Sequence, residues 1–75
     1  MDEFAERLRK LLFSAHKVQG LSDLQIRQQL KISRSAISAY KKGIVIPNAK
    51  NLIKIADYFG VSTDYLLGRE GYEME

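Results

Sequence analysis

Between Asp23 and Asp57 the chain has no acidic residue, yet Arg27, Lys31, Arg34, Lys41, Lys42, Lys50 and Lys54 all fall inside that interval. Solvated helical faces usually mix signs, so a run of unopposed cations points to a polyanionic partner. Residues 1–50 hold ten Lys or Arg against four Asp or Glu, a balance of +6, whereas residues 51–75 hold two against five, or −3. The net charge of +3 averages over this asymmetry. The chemistry expected is binding. The chain has no Cys, its single His16 cannot form a ligand cluster, and neither a nucleophile–base pair nor a Gly-rich phosphate loop is found. No enzyme, cofactor or metal centre is therefore expected.

Such cations act together only if rigid elements hold them. At 75 residues the chain can make one small domain, and domains of that size bury about 60% of the surface their unfolded chains expose. No apolar run approaches the roughly 18 residues that span a bilayer, and "MDEFAERLRK" lacks the layout of a signal peptide. A soluble, cytoplasmic protein with no membrane partner is expected.

The periodicities are helical throughout. Phe4, Leu8, Leu11, Leu12 and Ala15 recur every three or four residues, predicting a first helix over about 3–18 that Gly20 ends. Ser22 with Gln25 makes a capping-box pattern, and Leu24, Ile26 and Leu30 carry a short second helix. Ser33 caps a third over about 34–42, with Ile37 and Tyr40 inward, Ala36 between them, and Gly43 as its stop. "IVIPN" is extended ahead of Pro47. Asn48 then caps a fourth helix, with Leu52, Ile53, Ile55, Ala56 and Phe59 making it the most buried one, closing at Gly60. Ser62 or Thr63 opens a fifth through Leu67, stopped by Gly68. The expected organisation is an all-α, five-helix domain over 1–68 and a flexible tail over 69–75.

Two short helices joined by a three-residue turn are the unit that places a second helix in the DNA major groove. "GLSDLQIRQQLKISRSAISAYKKG" followed by "IPNAKNLIKIADYFGVSTDYLLG" resembles the Cro and Xre-type helix-turn-helix domains of phage repressors and bacterial regulators, over roughly Leu8 to Gly68. The resemblance implies a compact lambda-repressor-like fold, with helices 2 and 3 as the motif, that binds double-stranded operator DNA, commonly as a symmetric homodimer. A sequence-specific transcriptional regulator, a repressor that occupies a pseudo-palindromic operator, is the function it implies. The competing class is an antitoxin or antirepressor-like module that uses the same fold to bind a protein partner.

Helix geometry turns Arg34, Ser35, Ser38 and Ala39 away from Ile37 and Tyr40, and the family's usual base readers correspond to Arg34, Ser35 and Ala39. Arg34 can bond both acceptors of a guanine, Ser35 a base or a phosphate, and Ala39 a thymine methyl. Phosphate contacts are expected from Ser22, Arg27, Ser33, Lys41, Lys42, the Gly43 N–H and Lys50, which position the domain without reading sequence directly. For Ser33 the capping role comes first.

Several positions depart from the family pattern. Arg27 stands where relatives have a small residue, so its stem must lie along the helix crossing while its guanidinium reaches solvent or phosphate. Lys31 stands where they have glycine, and a left-handed conformation there costs about 1 kcal/mol. His16 and Lys41 replace an Arg–Glu pair, which leaves Lys41 to face phosphate and His16 as a partly buried, neutral packing residue. Asp23 replaces a backbone-gripping Gln. It favours the helix dipole and repels phosphate.

Tyr58, Phe59, Tyr65, Leu66 and Leu67 are expected in the core. Ile44 and Val45 either pack under their loop or meet a second subunit, and Tyr65, Leu67, Tyr72 and Met74 are further candidates for self-association.

Overall fold

The computed structural model describes residues 3–69. Five helices follow in order, α1 (Glu3–Gln19), α2 (Asp23–Leu30), α3 (Arg34–Lys42), α4 (Ala49–Phe59) and α5 (Thr63–Leu67), with no strand among the described residues. The lambda-repressor-like, all-α class follows, and every helix boundary lies within a residue or two of its sequence expectation. Tyr72 and Met74, named as self-association candidates, lie outside the described residues.

Punctuation explains the close agreement. Ser22, Ser33, Asn48 and Ser62 each sit in extended backbone and accept, through the side-chain oxygen, the N–H three residues on. That satisfies one of the orphan donors at each helix start. Ser22 and Gln25 complete the reciprocal capping box, with Ser22 N–H donating to Gln25 Oε1 at 2.9 Å. At Gly68 two demands meet: φ is +75°, and a Cβ would lie 2.8 Å from Glu3 Cγ. Only glycine lets α5 end this close to the start of α1.

The core is one cluster with α1 as its largest contributor. Phe4, Ala5, Leu8, Leu12 and Ala15 are buried on α1, Ile26 and Leu30 on α2, Ile37 and Tyr40 on α3, Ile55 and Ala56 on α4, and Leu66 on α5. Leu52, Tyr58, Phe59 and Tyr65 pack against it half-buried. Expectations for α2 and α4 need correcting here. Leu24 and Ile53 are each 51% exposed, and α4 is not the most buried helix. Each of the two lies two residues before a fully buried isoleucine, Ile26 or Ile55, and two residues turn an α-helix about 200°, onto its opposite face. Leu67 is only half-buried.

Polar ties fix the helix angles. Arg7 donates through Nη1 to the Tyr65 carbonyl at 2.8 Å and stacks 4.5 Å from that ring's centroid, clamping α5 to α1. Tyr65 thus already has a neighbour over its ring within the chain. Asn51 donates to the Tyr40 hydroxyl at 3.0 Å, joining α4 to α3, and the Phe4 and Tyr40 rings meet edge-to-face at 6.0 Å. Tyr58 donates to Gln29, joining α4 to α2.

Candidate nucleic-acid interface

The angle between α2 and α3 is set by three residues, Lys31, Ile32 and Ser33. Lys31 takes φ 60° and ψ 42°, the only positive φ outside glycine among the described residues, and its N–H bonds back to the Arg27 carbonyl at 2.8 Å. Turning the chain there swings Ile32 into the core, where it is buried. Ser33 then caps α3, its Oγ accepting the Ala36 N–H at 3.2 Å.

With Ile37 and Tyr40 buried, α3 keeps Arg34, Ser35 and Lys42 exposed and Ser38, Ala39 and Lys41 half-buried. An open notch of about 500 Å³ separates this surface from α2. Ser22, Asp23, Arg27, Arg34, Ser38 and Lys41 line it over an apolar floor that includes Leu12 and Ile37. Arg27 is half-buried, so its stem lies along the crossing. Among the described residues no carboxylate pairs with Arg27, Arg34, Lys41, Lys42 or Lys50. Such unpaired cations leave a positive field on this side of the molecule.

The other named residues stand outside the notch. Lys42 ends α3, Gly43 caps it and Lys50 lies in the first turn of α4, while Ser35 and Ala39 lie on α3 beside the notch without lining it. The Gly43 N–H already donates to the Tyr40 carbonyl at 3.2 Å as the helix cap, so a phosphate there must share it. The Ser22 and Ser33 oxygens likewise accept capping bonds, which leaves their O–H protons free to donate.

Two links in this region carry no periodic signal in the sequence. Arg9 donates to the Lys41 carbonyl and so holds the last turn of α3 against α1. The carbonyls of a helix C-terminus lack intrahelical partners, which is the only hint that some cation must reach them. His16 is half-buried as expected, but it does more than pack. Its Nε2 lies 3.0 Å from Asp23 Oδ1 and its Nδ1 meets the Leu21 carbonyl, so it fastens the start of α2 to α1. Asp23 is therefore occupied within the chain, which draws the one acidic group of the notch toward His16.

The chain matches the family model described as a helix-turn-helix domain over residues 5–71. It belongs to the helix-turn-helix family of the Cro/Xre type. Among curated proteins, this helix-turn-helix chain is similar to the HTH-type transcriptional regulator ImmR of Bacillus subtilis (strain 168), 32% identical over 63 residues, covering 84% of the chain and 50% of that protein. The HTH-type transcriptional activator BcrR of Enterococcus faecalis is 37% identical over 68 residues, 91% of the chain and 31% of BcrR. The cryptic phage CTXphi transcriptional repressor RstR of Vibrio cholerae is 30% identical over 63 residues, 84% of the chain and 56% of RstR. The chain spans about a third to just over half of the length of these relatives. No solved structure gives a significant match. No helix among the described residues is long and apolar enough to cross a membrane.

Proposed function

We propose that this chain binds double-stranded DNA in a sequence-specific way and regulates transcription, as a repressor that occupies a pseudo-palindromic operator with two copies of the domain. The observation that carries the reading is α3 itself. It is capped at both ends, anchored on one face by Ile37 and Tyr40, and bordered on the other by cations with no carboxylate partner among the described residues. A rigid helix with that surface is what the major groove accepts.

In this reading the DNA-binding unit is residues 1–68. Arg34, Ser35, Ser38 and Ala39 meet base edges, while Ser22, Arg27, Ser33, Lys41, Lys42, Gly43 and Lys50 hold the backbone. Repression is supported by the likeness to RstR, named a transcriptional repressor. BcrR is named an activator, so the sign of regulation is a separate readout. The test is a fluorescence-anisotropy titration against DNA flanking the chain's own gene and against scrambled DNA, with a promoter-reporter assay alongside. Tight binding to the flanking DNA with lowered reporter output is expected. Equal, weak binding to every sequence would overturn the reading.

A further inference from the structure

His16 stands between two oxygens that can only accept hydrogen bonds. Its Nδ1 meets the Leu21 carbonyl and its Nε2 lies 3.0 Å from Asp23 Oδ1. A neutral imidazole has one N–H and one bare nitrogen, so it satisfies one such partner while its lone pair faces the other. The imidazolium carries two N–H groups and satisfies both. The ring fits its surroundings as a cation rather than as the neutral packing residue expected.

Asp23 has a second cation within reach. Arg27 follows it by four residues on α2, the spacing at which an acidic and a basic side chain meet on one helix face, and both line the notch beside α3. Yet the carboxylate sits against His16 and makes no ion pair with Arg27. Two cations thus compete for one carboxylate.

We infer that His16, as an imidazolium, is a positioning residue for the DNA contact: it holds Asp23 toward α1 and so keeps the Arg27 guanidinium free for phosphate. The inference rests on the operator-binding reading above and adds a proton as its regulator. When the ring gives up a proton, the tie to Asp23 is the one that breaks. The Leu21 carbonyl belongs to backbone pinned beside it, where the Leu21 N–H bonds the Ala15 carbonyl at 3.2 Å, whereas the Asp23 side chain is 63% exposed and can rotate. The freed carboxylate then pairs with Arg27, and a phosphate meets a neutral pair where it had met a free guanidinium. The other charged groups at this junction are cations. Lys17, on α1, lies over the Phe13 ring at 5.7 Å, and Arg34 and Lys41 line the notch from α3. Asp23 is the only carboxylate among the described residues that line the notch, and no residue of α4 or α5 lines it. Imidazoles give up their proton between about pH 5 and 8, so DNA affinity should fall as the pH rises through that interval. His16 is the only histidine of the chain.

The experiment is an anisotropy titration of the full chain on the flanking DNA at fixed salt, at steps from about pH 5.5 to 8, with a thermal melt at each step. Wild type is compared with H16F, which keeps a ring but has no N–H, and with D23N, a change at an exposed side chain that leaves Arg27 no carboxylate to pair with. Wild type should lose about threefold or more in affinity across the range, as expected for one weakened phosphate contact. D23N should stay nearly flat and bind at the upper end at least as tightly as wild type does at the lower end. H16F should stay flat near the weaker wild-type value, and D23N alone decides the matter if H16F does not fold. A flat wild type would overturn the inference. So would a D23N that keeps the full pH dependence, since the charge of the ring by itself would then account for it, and so would an H16F that binds as tightly as wild type does at the lower end. All three outcomes leave the DNA-binding reading standing. If no DNA is bound at any pH, that reading fails by itself, and the competition is judged from the Arg27 Nε–H resonance in the free protein. Movement of that resonance together with the His16 ring in wild type, absent in D23N, supports it. A resonance that does not follow the ring overturns it.

Discussion

Lys31 and Arg34 sit three residues apart and test different links between sequence and function. At φ 60° an L-residue is strained by about 1–2 kcal/mol, whereas introducing glycine costs about 0.4–1 kcal/mol through the greater freedom it gives the unfolded chain. The strain is the larger, so Lys31→Gly should stabilise the fold by about 0.5–1 kcal/mol, seen as a higher midpoint in urea with an unchanged slope. A lower midpoint would mean that the lysine side chain contributes more than its backbone costs. Arg34 stands in the first turn of α3 and Lys42 in the last, where in the proposed reading the helix leaves the groove and passes the backbone. Arg34→Ala should cost about 1–3 kcal/mol on the cognate operator and relax preference at one base pair, with little effect on random DNA. Lys42→Ala should weaken both alike. Equal loss on all sequences from Arg34→Ala would make Arg34 a phosphate contact.

At the scale of the element, Ser33 serves α3 as a cap and stands where a phosphate contact is also proposed, and the two roles separate by substitution. Alanine removes the cap, at about 0.5–2 kcal/mol, while aspartate caps as well as serine does. Ser33→Asp should therefore melt near the wild-type temperature yet bind DNA more weakly through its added negative charge. Ser33→Ala should melt lower. If the aspartate variant binds DNA as tightly as wild type, no phosphate approaches this helix start. Caps such as Ser33 are also why the helices were legible in the sequence, since each is a local device of side chain and backbone within four residues. What was not legible is relational. Leu24 and Ile53 looked like core because they are apolar within apolar helices, and only the facing of α2 and α4 exposes them. His16 looked like a packing residue because its partner Asp23 lies across a turn, and Arg9 gave no sign that it would reach the Lys41 carbonyl. Ile44, Val45 and Ile46 were visible as three aliphatics, but that all three are exposed was not.

For the whole molecule the deciding property is where charge sits. The first fifty residues sum to +6 and the remainder to −3, and the five unpaired cations named above all belong to the first part. A polyanion approaching the α2–α3 side meets the first sum far more than the second, because the field of exposed charges fades over about 8–10 Å at physiological salt. Binding should then be governed by release of counterions. If Arg34, Lys41, Lys42 and Lys50 displace about four counterions per copy and two copies bind, the log–log slope of affinity against salt should be on the order of −7. Between 50 and 200 mM salt that amounts to roughly a 10⁴-fold loss of affinity, large enough to be unmistakable in an anisotropy series. A single copy on a half-site should show about half the slope, so the same measurement counts copies as well as contacts. A slope near −3.5 on the full operator would leave one copy bound, and a slope near zero on cognate DNA would remove phosphate contact from the mechanism altogether.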